Sequence, residues 1–188
     1  MAKNSNQAGN IDHKQLQECI NLMGDDVRGI RLYQQRNATR PLGNDYRTLY
    51  HFTCEHWLPQ ILNQGLTKGD VPISTTGGFD APWLTKDSFP HRIGVMGPNE
   101  IGTSSAVDKT RFRMTVKIPC GDRNLWRWTE LAKALKVQKS HLEKLNASAQ
   151  GGGKSWYVYL GVIPPEWIMK LEKWNGSEFC YIEKDTFL

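Results

Sequence analysis

Between residues 111 and 118 apolar and polar positions alternate without a break, with Phe112, Met114, Val116 and Ile118 set against Arg111, Arg113, Thr115 and Lys117. A period of two is that of a strand with one face in a core. Thr48-Leu49-Tyr50-His51-Phe52-Thr53 predicts a second strand. A short helix follows it and closes at Gly65, with Pro59 in the first turn, where a missing N–H costs nothing. Residues 81–85 and 178–183 read as short strands, and residues 156–163, apolar on both faces, read as a central one. Helical spacing recurs in Ile11, Leu16, Cys19, Ile20 and Met23, where Gly24-Asp25-Asp26 stops it. It returns over 125–135, with Leu125, Trp128, Leu131, Ala132 and Leu135 inward, and continues over 140–145. Pro164-Pro165 opens a further helix.

The stretches between these elements are loop-like. Residues 67–80 and 86–109 are rich in Gly and Pro, and 147–154 is a Gly/Ser/Ala segment. A loop as long as 86–109 inside a compact domain is usually functional. Residues 1–10 read as a disordered tail. Residues 25–47 are polar, carry Arg28, Arg31, Arg36, Arg40 and Arg47, and have no evident period. Strands and helices follow one another without βαβ alternation, which predicts an α+β fold. A length of 188 residues suits one domain, taken as 11–188 with 11–47 as an N-terminal helical extension.

Composition narrows the class. Hydrophobic residues make up 39% and charged residues 23%, as in globular proteins, and no run approaches the roughly 18 apolar residues of a membrane span. The polar start, Met1-Ala2-Lys3-Asn4-Ser5-Asn6-Gln7, lacks the apolar core of a secretory signal, so a cytoplasmic protein is expected. Cys19, Cys54, Cys120 and Cys180 form no CxxC pair, which argues for free thiols and against a structural zinc site. The excess of 24 Lys and Arg over 19 Asp and Glu permits an anionic partner without requiring one.

Gly151-Gly152-Gly153-Lys154-Ser155 lacks the glycine that a phosphate loop needs five residues before its Gly-Lys pair, because that position is Ser148. It also leads into a strand rather than a helix N-terminus. His51, Cys54 and His56 lie close together but have no third ligand nearby in sequence, so no metal is expected. His51 itself stands in an otherwise apolar strand, sharing a face with Leu49 and Thr53. A buried imidazole needs a partner, so it is either a satisfied core histidine or a ligand-holding one. The face of Arg111, Arg113 and Lys117 either holds a phosphate or is the solvated side of an edge strand. Among the seven tryptophans, Trp83, beside Pro82 at the mouth of a Gly-rich loop, is the candidate for stacking on a ring.

Leu49-Tyr50-His51-Phe52-Thr53, Ile61-Leu62-Asn63-Gln64-Gly65-Leu66, Pro82-Trp83-Leu84-Thr85, Arg113-Met114-Thr115-Val116 and Trp156 through Ile168 together resemble the ADP-ribosyltransferase superfamily. The likeness is to its divergent, toxin-like bacterial and phage branches and, more distantly, to RNA 2′-phosphotransferases. It spans roughly residues 48–172 in the family's order. The resemblance implies a split β-sheet core with flanking helices that grips NAD, used as a substrate, in a cleft. It implies dinucleotide contacts from His51, Phe52 and Thr53, with Trp83 and Thr85 on the nicotinamide side. It implies transfer of ADP-ribose to a protein or nucleic-acid acceptor, with His51 and Thr85 in catalytic roles. The late-strand positions where the family carries its acid are here Lys154 and Ser155, which leaves Asp80, Glu178 and Glu183 as substitutes. A basic site on Arg113, in the manner of the RNA 2′-phosphotransferases, is a second route. A domain that binds NAD, ADP-ribose or a protein partner without turnover is the third.

Overall fold

A computed structural model of the chain describes residues 45–72, 78–90, 108–148 and 153–188. The predicted tail, the helix over 11–23 and most of the N-terminal extension lie outside the described residues, as do 91–107 of the long loop. Helices and antiparallel strands are mixed, giving an α+β architecture. Nine strands run in chain order as β1 (Tyr46–Thr53), β2 (Asp70–Pro72), β3 (Gly78–Asp80), β4 (Trp83–Thr85), β5 (Phe112–Pro119), β6 (Leu125–Arg127), β7 (Trp156–Tyr159), β8 (Ile168–Trp174) and β9 (Phe179–Ile182). The helices are α1 (Leu58–Gln64), α2 (Trp128–Ala134) and α3 (Lys139–Ala147). Seven strands form one sheet in the order β6-β7-β4-β1-β5-β8-β9, while β2 and β3 make a separate hairpin.

Each face of the sheet carries its own core, as alternation requires. Leu49, Met114, Val116, Ile118, Leu84 and Tyr157 look toward α1, whose Leu58, Ile61 and Leu62 cover them. Trp126, Trp156 and Val158 look the other way, onto α2, and Val71 and Phe79 of the hairpin join that layer. No described helix is long and apolar enough to cross a membrane.

Four expectations change. Residues 67–80 hold the β2–β3 hairpin, not a loop; its strands are three residues long, too short for a period to show among glycines. Residues 125–127 are strand, not helix, because Trp126 pairs with Val158 and is buried in the aromatic layer, so the helix begins at Trp128. The strand over 156–163 ends at Tyr159, beyond which Gly161 (φ 154°) turns the chain and Ile163 bridges to Leu66. The helix at Pro164 is a single 3₁₀ turn, Pro165–Trp167, running straight into β8. The misreading has a physical origin. Ile168 and Leu171 are both buried although three residues apart, a helical spacing, because β8 bulges: Thr115 pairs with Lys170 and Val116 with Ile168, leaving Met169 extra and exposed.

Candidate functional site

The antiparallel ladder between β1 and β4 has one register pair, Tyr50 with Thr85, and beyond it the two strands part. A cavity of about 490 Å³ opens along this seam, within the range of small-molecule sites. Residues 50–53 of β1 and 83–85 of β4 form its floor. Trp57, Gln60 and Ile61 close one side, and Lys68, Asp70 and Asp80, on and beside the hairpin, close the other. Lys109, Leu145 and Trp156 complete the wall.

His51 spans the seam. Its Nδ1 lies 2.8 Å from the carbonyl oxygen of Trp83, where the parted backbones leave a ladder acceptor without an N–H. The carbonyl only accepts, so Nδ1 carries the proton and Nε2 is left with a lone pair. No described residue partners Nε2, and the ring lines the cavity. Enclosure lowers the imidazole pKa below its ordinary 6.5, the bond to Trp83 opposes this, and the charge of Lys109 lowers it further. His51 is therefore both a satisfied histidine and a neutral acceptor facing the cavity.

That lowered pKa has a sign. The unfolded chain takes up the His51 proton at higher pH than the folded one, so stability is fully present above about 6.5 and falls as pH drops toward the folded value. Thermal melts from pH 7.5 to 5.5 are expected to fall more steeply for wild type than for His51→Gln. Parallel pH dependences would refute the assignment.

Trp83 is held from three sides. Its indole N–H donates to the Asp70 carbonyl at 2.8 Å, and its ring packs on Trp128 (5.0 Å) and Trp156 (5.6 Å). Thr53 and Phe52 line the cavity as expected, and both are largely buried. Thr85 also lines it, but its hydroxyl is used by Asp87: the Asp87 N–H donates to Oγ1 at 3.0 Å, and Oγ1 donates to the carboxylate at 3.4 Å. Ser155, at the position where an acid was sought, donates its hydroxyl to the same Asp87 oxygen.

Arg113 does not join the cavity. It sits on β5, an interior strand rather than the edge expected, and makes a two-pronged pair with Glu172 at 2.9 and 3.0 Å. Its third donor goes to the Ser88 carbonyl at 2.7 Å, and the guanidinium lies 4.3 Å from the Phe179 ring centre. With every prong engaged, it is a packing residue. Glu178 and Glu183 flank β9 at the far edge of the sheet, outside the cavity lining, whereas Asp80 lines the cavity. Cys54 is buried and outside the lining, and among the described residues no three His, Cys, Asp or Glu side chains gather as a metal-ligand set.

Sequence reasoning missed Trp57, Gln60, Lys68, Asp70, Lys109 and the role of Asp87. Thr85-Lys86-Asp87 carried a signal, since a threonine two residues before an aspartate favours a local side-chain turn. Asp70 carried none, because the hairpin that aims it went unrecognised. Comparison of the chain with family models, with curated proteins and with solved structures returns no match.

Proposed function

We propose that the chain binds NAD in the β1–β4 seam and transfers its ADP-ribose to a protein or nucleic-acid acceptor. The observation that carries this reading is the parted ladder held by His51, whose Nε2 faces the cavity as an acceptor. Such an acceptor suits a ribose hydroxyl. The fixed Trp83 ring supplies an aromatic wall for a planar heterocycle. The same split-sheet arrangement is what the likeness to the ADP-ribosyltransferase superfamily implies. The route through Arg113 lacks support, since that guanidinium is spent on Glu172 and Ser88.

Incubation with NAD labelled in its adenylate half tests the reading. Wild type is expected to release nicotinamide and to label an acceptor in a cell extract. His51→Ala is expected to bind NAD about tenfold more weakly, the worth of one hydrogen bond. No label transfer and no free nicotinamide would sink the transferase reading.

A binding module without turnover is the second reading. The engaged hydroxyl of Thr85 favours it, because a side chain placed for catalysis is tied to Asp87 instead. Calorimetric binding of NAD or ADP-ribose by a protein that releases no nicotinamide would decide for it.

A further inference from the structure

The β2–β3 hairpin carries a feature that folding alone does not explain. Asp70 and Asp80 are register partners across it. Directly opposed residues on one face of a hairpin stand about 5 Å apart at Cβ, where like charges repel. Their neighbours Val71 and Phe79 are buried in the aromatic layer, so the two carboxylates lie on the opposite face, and both line the seam cavity. Neither has a hydrogen-bond or ion-pair partner among the described residues, whose ion pairs are Arg113–Glu172 and Lys139–Glu143. Lys68 and Lys109 line the same cavity without pairing to them.

The hairpin cannot readily turn this pair away. Trp83 holds the Asp70 carbonyl, and Ala81 N–H donates to the Gly69 carbonyl at 2.8 Å. A Cβ on Gly69 would stand 2.5 Å from the Ala81 carbonyl oxygen, so the hairpin base packs at van der Waals limits. An enclosed histidine with an unpartnered Nε2 opens into the same space. Two unneutralised carboxylates fixed on an aromatic-walled cavity supply a field for a positive ligand group.

Resting on the dinucleotide reading above, we propose that Asp70 and Asp80 recognise the positive charge of the oxidised nicotinamide ring. The site thereby selects NAD⁺ over the reduced form, whose ring is neutral. The pair acts through charge and not shape, since the two forms differ little in outline.

Calorimetry of wild type and the double variant Asp70→Asn/Asp80→Asn with NAD⁺, NADH and ADP-ribose tests this. Wild type is expected to bind NAD⁺ about tenfold more tightly than NADH at low ionic strength, with the preference shrinking in 0.5 M salt as screening requires (about tenfold at the field of two nearby charges). The double variant is expected to bind both forms alike while keeping its affinity for ADP-ribose. Its melting temperature should equal or exceed that of wild type, because a repulsion is removed. Equal wild-type affinities for the two forms, or a preference that survives the double substitution, would overturn the proposal and leave the dinucleotide site standing. Failure of wild type to bind any of the three ligands would overturn both.

Discussion

Gly65→Ala is expected to lower the melting temperature by about 10 °C, from a loss of about 3–5 kcal/mol. Gly65 ends α1 at φ 86° and ψ 178°, a region that side chains scarcely enter. A Cβ there would stand 2.2 Å from the Ile163 carbonyl oxygen, and backbone rather than a flexible side chain would have to move. That carbonyl is occupied: Leu66 N–H donates to it at 2.9 Å, and Ile163 N–H returns a bond to Leu66 at 3.0 Å. The substitution therefore attacks the junction that ties the α1 exit to the chain after β7, and both Gly65 and Leu66 line the cavity. Weaker NAD binding should accompany the lost stability. A melting temperature within about 2 °C of wild type would show that the junction yields, against this account.

Arg113→Met is expected to cost about 3–5 kcal/mol, because it strands the Glu172 carboxylate at a place where both side chains are 13% exposed. The substitution also removes the donor to Ser88 and the stack on Phe179. Pairing it with Glu172→Leu should restore most of the loss, since removing both charges is far less costly than removing one. Chemical denaturation of both variants measures the difference, and the same proteins separate packing from chemistry. With Arg113 in a packing role, NAD binding and turnover return with stability in the double variant. A stable double variant that stays inactive would put Arg113 back among the functional residues.

How much was legible follows from how each element keeps its period. β5 was read correctly because all eight of its residues alternate against a single core. The stop of α1 was read because Gly65 is a backbone requirement visible as one letter. β8 was hidden because its bulge at Met169 changes a period of two into a spacing of three. β6 was hidden because Trp126 and Trp128 both face the same aromatic layer, although one ends a strand and the other starts a helix. At the site, His51 was visible as a polar residue in an apolar strand, but its partner is a carbonyl 32 positions away, which no local pattern encodes. Arg113 looked free in the sequence because Glu172 comes to it only through pairing of β5 with β8, 59 positions along. Asp70 and Asp80 are ten positions apart and become neighbours only once the hairpin forms.

The seam between β1 and β4 has a further consequence. Three strands on one side and four on the other meet there through one register pair and one imidazole. A flat molecule lying in the seam would stand in for the missing rungs of the ladder, touching both halves at once. Occupancy and cohesion of the sheet are then one quantity, so each gain in affinity is equally a gain in resistance to opening. The protein is built less like a bowl that receives a ligand than like a zipper whose last teeth the ligand provides.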